Sequence, residues 1–163
     1  MLGLTTLGAI HTAISLVALI SGTWAFARDK EIVPANRLGQ LYLAATVLTA
    51  ATALGIYQHG GFGIGHKFAV LTLMAVAIGA LAATTTVFRR ASRYVQAICF
   101  SSTMLLHMIT GTAETITRLP PGAPLITAAN AFMFPYILWT LVLLFLAGLA
   151  FQLRWLRMSP KQQ

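Results

Sequence analysis

Acidic residues are scarce in this sequence, which contains only 3 Asp and Glu among its 163 residues. Charged residues of either sign make up 9% of the chain, whereas a soluble domain carries about 25%. Hydrophobic residues make up 58%. A water-soluble fold of this composition would lack the charged side chains that cover a solvated surface. The composition therefore predicts a membrane protein.

The sequence has one cysteine, Cys99, and so cannot form an intramolecular disulfide. It also lacks the CxxC, CxxCH and HExxH patterns that mark metal and c-type haem sites. The net charge is +8, but the basic residues form short clusters between apolar runs rather than a patch interleaved with aromatic residues. This distribution argues against nucleic acid as a partner and is typical of the loops of a membrane protein.

Five apolar runs are long enough to cross the lipid bilayer, which takes about 20 residues in a helix. They cover residues 4–27, 38–58, 66–88, 94–117 and 125–153. Prolines, glycines or basic clusters separate the runs, and Pro135 predicts either a kink or the true start of the fifth helix. The sequence therefore predicts an all-α integral membrane bundle of five transmembrane helices in a single domain, residues 1–163.

Basic residues fall mainly on alternate loops, which predicts the orientation. One side of the membrane would hold nine of the 11 Lys and Arg residues: Arg28, Lys30, Arg37, Arg89, Arg90, Arg93, Arg154, Arg157 and Lys161. The other side would hold only Lys67 and Arg118. The positive-inside rule then places the N-terminus outside and the C-terminus in the cytoplasm. Because the first run exceeds a signal-peptide h-region and follows no Lys or Arg, we expect a retained helix.

Ionisable residues within the predicted spans are few, and they lie in the outer half of the membrane. At 1.5 Å per residue, His11 lies ~10 Å and His107 ~15 Å from the outer ends of their helices. His66 opens the third span on its outer side, and Glu114 follows His107 by two turns. Because a charge at the bilayer centre costs ~2.5–3.5 kcal/mol, such residues are candidates for function.

Small and polar residues share helix faces with His11 and His107, which predicts that both imidazoles point into the bundle. Three imidazoles would then lie near the outer surface, those of His11, His66 and His107. Two of them on different helices would suit a b-type haem, whereas all three, together with Glu114, would suit a transition-metal ion such as copper, iron or zinc. Glu114 is the candidate catalytic residue, taking up or releasing the proton that accompanies each electron.

Each of these residues also has a purely structural interpretation. An isolated histidine can hydrogen-bond a neighbouring helix. His59 and His66 flank a glycine-rich loop and can be solvated there, so whether His59 joins the site is open. Glu114 can pair with Arg118, four residues further along the same helix.

The first half of the chain resembles a family of small bacterial multi-pass membrane proteins of uncharacterised activity. The resemblance lies in an early histidine followed by small residues, from His11 to Gly22, and in the sequence Arg37-Leu38-Gly39-Gln40-Leu41-Tyr42 at the start of the second span. The family's His-Arg pair before the fourth span is Ser92-Arg93 here. The resemblance implies a multi-pass protein of the bacterial inner membrane.

These features predict a membrane-embedded haem or metal protein that transfers electrons between a quinol and a periplasmic acceptor. An alternative from another class is a non-catalytic subunit or assembly factor that binds other membrane-protein subunits. The short loops of the chain support this alternative. Small residues on the second helix support it too, because they can pack against partner helices: Ala44, Ala45, Thr49 and Ala53. A small transporter is a weaker third alternative, because the inner half has no charged pathway.

Overall fold

The computed structural model describes residues 5–57 and 61–159, and within these ranges the chain is entirely helical, without strands. The five α-helices are α1 (Thr6–Asp29), α2 (Arg37–Ala53), α3 (Ile64–Thr84), α4 (Ser92–Arg118) and α5 (Met133–Met158). Short 3₁₀ turns, Arg89–Ala91 and Ala128–Asn130, precede α4 and α5. The prediction of an all-α protein with five long helices is therefore confirmed.

Three of these helices, α1, α3 and α5, are long and apolar enough to cross a membrane. The expectation that all five helices would meet this standard is wrong, for two physical reasons. Helix α2 has 17 residues, about 26 Å at 1.5 Å per residue, against a hydrocarbon core of ~30 Å. Helix α4 is long enough, but polar side chains such as Thr103, His107 and Glu114 lower its mean hydropathy.

The helix boundaries differ from the predicted ones mainly at α2 and α5. Helix α2 ends at Ala53, before a turn, instead of continuing to residue 58, which lies outside the described residues. Helix α5 begins at Met133 rather than at 125. Pro135 is its third residue, where a helix loses no internal hydrogen bond to proline. Pro135 therefore marks the start of α5 and does not kink it.

Side-chain caps fix the starts of the first two helices. The Thr5 hydroxyl accepts a hydrogen bond from the backbone N–H of Gly8 at 3.1 Å. Asn36 caps α2 in the same way, because its side-chain oxygen accepts a hydrogen bond from the N–H of Gly39 at 2.8 Å. Each cap satisfies one of the N–H groups that a helix start leaves without an internal partner.

Helix α1 packs on α2, α3 on α4, α2 on α3 and α4 on α5. The segment after α1 meets the start of α4 and the end of α5, where Arg93 forms an ion pair with Glu31 at 3.0 Å. In the same place the side-chain N–H groups of Gln96 and Gln152 donate to the carbonyls of Ile32 (3.2 Å) and Lys30 (2.9 Å). We call this end of the bundle the basic end; its described cations are Arg28, Lys30, Arg37, Arg89, Arg90, Arg93, Arg154 and Arg157.

Glycines allow the largest buried rings to sit against neighbouring backbones. A Cβ at Gly22 would lie 2.7 Å from the Tyr42 ring, and one at Gly79 would collide with the Phe100 ring. Tyr42 and Phe100 are both fully buried. This close approach of helices through small residues is the usual packing mode of membrane bundles.

Replacing Gly39 with alanine should destabilise the fold, because the new Cβ would collide with the backbone carbonyl of Val33. We expect Gly39→Ala to lower the free energy of unfolding by about 1–3 kcal/mol, the usual cost of overpacking. Thermal unfolding of the purified protein in detergent, followed by circular dichroism, measures the change.

The matched control is Gly148→Ala in α5, where a Cβ would meet nothing within 4 Å. This substitution should leave stability unchanged or raise it by up to ~1 kcal/mol through helix propensity. Equal melting temperatures for the two variants would contradict the proposed clash.

Candidate functional site

A line of polar side chains follows one face of α2 through the interior of the bundle. Tyr42, Thr46, Thr49 and Thr52 are spaced by four, three and three residues, which places them on one helical face. Tyr42 and Thr46 are 0% exposed and Thr49 is 6% exposed. We call these four residues the α2 polar line. It provides hydrogen-bonding groups to helices on both sides, α1 and α4.

His107 of α4 binds this line and is itself buried. Its Nε2 lies 3.1 Å from the Thr46 hydroxyl, and its ring meets the Tyr42 ring edge-on at 6.3 Å between centroids. The Thr103 hydroxyl donates its proton to the carbonyl of Phe100, so the Tyr42 hydroxyl donates to Thr103, at 2.7 Å. These bonds hold the His107 ring in one orientation.

His11 of α1 binds the same line further along α2. Its Nδ1 lies 3.1 Å from the Thr49 carbonyl oxygen and 3.0 Å from the Thr52 hydroxyl. Because a carbonyl can only accept, Nδ1 carries the proton and the neutral ring keeps its lone pair on Nε2. Within the described chain this Nε2 has no hydrogen-bond partner. Histidines that bind metals are commonly oriented in this way, by donating the other N–H to a carbonyl.

His66 has a different role at the start of α3. The backbone N–H of Gly63 donates to His66 Nδ1 at 3.1 Å, so the ring caps its own helix and its proton must be on Nε2. The ring packs between Tyr57 (4.6 Å) and Phe62 (5.1 Å). Its Nε2 is buried without a partner in the part of the chain described. In this state neither nitrogen of His66 has a free lone pair for a metal.

Glu114 lies outside the α2 polar line. Its carboxylate forms an ion pair with Arg118 Nε at 2.5 Å, and its side chain is 62% exposed. The pairing of these two residues along one helix, which the sequence left as an alternative, is thus present.

The structure therefore brings two of the three predicted histidines to one helix face. Both His11 and His107 point into the bundle, as predicted, and each binds a group of α2. Among residues 5–57 and 61–159, no three His, Cys, Asp or Glu side chains form a group that could hold a metal ion. His59 lies outside the described residues.

Sequence reasoning did not identify the α2 polar line as part of the site. It considered Thr49 and Ala45 only as small residues for helix packing, whereas both are buried within the bundle and Ala44 is exposed. The spacing of Tyr42, Thr46 and Thr49 was a usable signal, because polar residues that recur on one face of an apolar helix need partners in the membrane.

Comparison with known proteins gives no match, whether to a family model, a curated protein or a solved structure. The resemblance noted in the first half of the chain therefore stays a prediction, and the site is interpreted from its own geometry.

Replacing Thr46 with valine should destabilise the bundle, because His107 Nε2 would lose its partner while remaining buried. We expect Thr46→Val to lower the free energy of unfolding by about 1–3 kcal/mol. Adding His107→Leu should recover part of this loss, because the unsatisfied group is then gone. Unfolding in detergent of the single and double variants measures the coupling between the two residues.

Thr84→Val is the matched control, since Thr84 is exposed and its hydroxyl donates only to the carbonyl of Ala80 in its own helix. It should change stability little. If Thr46→Val and Thr84→Val unfold alike, the Thr46–His107 hydrogen bond has no measurable role.

Proposed function

We propose that this chain is a membrane-embedded electron-transfer protein whose redox centre is bound by His11 and His107. The observation that carries the proposal is that two imidazoles from different helices are oriented by one polar face of α2. The electron donor would be a membrane quinol and the acceptor a periplasmic partner. The protein would lie in a bacterial inner membrane.

The number of available ligands favours a b-type haem over a bare metal ion. Haem iron can be held by two axial histidines, whereas zinc sites in proteins use three or four protein ligands. The described residues supply a histidine pair but no group of three metal-binding side chains. Copper and iron ions remain the less favoured alternatives, and His66 would join only after giving up its cap on α3.

When bound, the haem would supply one-electron chemistry, and the residues of this chain would orient and isolate it. The Thr49 carbonyl fixes the tautomer of His11, and the Thr46 hydroxyl fixes the ring of His107. Glu114, whose side chain is mostly exposed, would take up or release the proton that accompanies each electron. Arg118 holds this carboxylate in place.

Spectroscopy and metal analysis of the protein purified in mild detergent test this proposal. We expect a Soret band with about one haem per chain, and its loss in both His11→Ala and His107→Ala. His66→Ala should keep the haem but unfold at a lower temperature, because it removes only a helix cap. A colourless, metal-free preparation that also rejects added haem and copper would overturn the proposal.

We also propose that all five helices cross the membrane, with the N-terminus outside and the C-terminus in the cytoplasm. The clustering of eight described cations at the basic end supports this topology, as expected from the positive-inside rule. The lower hydropathy of α4 fits a spanning helix whose polar side chains bind α2 inside the bundle rather than lipid.

Labelling of introduced cysteines in a Cys99→Ser background tests the topology. Ala123→Cys lies in the exposed segment between α4 and α5, and Ala91→Cys lies in the exposed turn before α4. In intact spheroplasts, a membrane-impermeant maleimide should label the first and not the second. Both should react after permeabilisation, and the reverse pattern in intact cells would contradict the orientation.

A second candidate function, a subunit or assembly factor of a larger membrane complex, is favoured by the exposure of α5. No residue in the most apolar 18-residue window of α5 is buried within the chain. In a larger complex this surface would contact helices of another subunit. The protein would then co-purify from solubilised membranes with a stoichiometric partner. A variant with His11, His66 and His107 replaced by alanine would keep its cellular activity.

A further inference from the structure

A long groove runs between α1, α4 and α5 from the basic end toward the membrane interior. Its volume is about 590 Å³, and its walls are mostly apolar, including Met104, Leu144 and Gly148. Along α5 it extends from Leu141 to Trp155, about 21 Å at 1.5 Å per residue. Because half of the hydrocarbon core is only ~15 Å thick, the groove is long enough for an acyl chain of one leaflet.

The polar lining of the groove lies at its basic end. Lys30, Ser101 and Gln152 line this part. The Ser101 hydroxyl donates to Gln152 Oε1 at 2.7 Å, and Gln152 in turn donates to the carbonyl of Lys30 at 2.9 Å. Within the described chain, Lys30 is the charged residue among those that line the groove. The groove is thus amphipathic along its length.

Lys30 has no carboxylate partner within the described chain. All three acidic side chains of the protein are already paired with arginine: Asp29 with Arg28, Glu31 with Arg93, and Glu114 with Arg118. The Lys30 ammonium donates only to the carbonyl of Ala27, at 2.8 Å. Its charge is therefore available to an anion from outside the chain.

The same charge distribution argues against a second copy of this chain as the occupant. A second copy would bring further cations to this end and no unpaired acidic side chain to neutralise Lys30. A neutral amphiphile would fill the apolar walls but leave the ammonium group uncompensated. An amphiphile with an anionic head satisfies both parts of the groove.

We propose that this groove binds an anionic phospholipid, with one acyl chain along α5 and its phosphate at Lys30. Attraction between a basic side chain near the membrane surface and an anionic lipid should give about a fivefold preference over a zwitterionic lipid. The proposal is independent of the redox site, which involves the α2 polar line.

Native mass spectrometry of the full chain in detergent, with phosphatidylglycerol or phosphatidylethanolamine added, tests the proposal. The wild-type protein should retain phosphatidylglycerol about five times more strongly than phosphatidylethanolamine. Lys30→Gln should abolish this preference. The matched charge control is Lys67→Gln, which removes an exposed cation from the start of α3 and should change nothing.

Filling the groove provides a second test that does not depend on charge. Gly148 lines the groove with open space at its Cβ position, so Gly148→Phe should displace both lipids without disturbing the backbone. Ala147→Phe adds the same ring one position away, on an exposed face, and should retain the lipid. Circular dichroism checks that both variants remain helical.

The proposal is overturned if the wild-type protein retains the two lipids equally, or if Gly148→Phe retains as much lipid as Ala147→Phe. It is also overturned if the purified chain carries a quinol in the groove, or forms a dimer that Gly148→Phe dissociates.

Discussion

The structure depends on hydrogen-bond partners for polar side chains that are buried between helices. The chain has few charged residues that could serve as these partners. Tyr42 and Thr46 are fully buried on one face of α2, where an unpaired polar group would be costly. Thr49 on the same face contributes its backbone carbonyl, while its hydroxyl has no partner within the described chain. Thr103 and His107 of α4 and His11 of α1 bind this face. The α2 polar line therefore sets which helices pack together, which apolar contact alone specifies poorly in lipid.

A second group of polar contacts fixes the basic end. Arg93 pairs with Glu31, donates to the carbonyl of Ser159 at 3.1 Å, and stacks over the ring of Trp155 at 5.5 Å. One arginine thus links the segment after α1 to the end of α5. Helix α5 otherwise contacts mainly α4. At the basic end α5 is therefore tied to the rest of the bundle. The remainder of α5 is exposed and forms one wall of the groove between α1, α4 and α5.

The histidines show how the same residue type takes different roles according to its hydrogen bonds. His11 donates from Nδ1 to a carbonyl and keeps a lone pair on Nε2, whereas His66 accepts at Nδ1 from a backbone N–H. The first arrangement leaves one ring nitrogen with a free lone pair, and the second caps a helix. The sequence placed both histidines in the outer half of the membrane, and the partners of each ring separate the two roles.

By itself the sequence determined the helical fold with its five long helices and the inward direction of His11 and His107, because apolar runs and helical faces are local properties. The predicted length of α2 was too great and the predicted start of α5 too early. In both places hydrophobic residues, such as Leu54 and Leu125, continue beyond the helix into a turn. Only the tertiary structure decided which histidines share a helix face and where Lys30 meets a groove. Such placements depend on contacts between helices distant in sequence, which no local pattern contains.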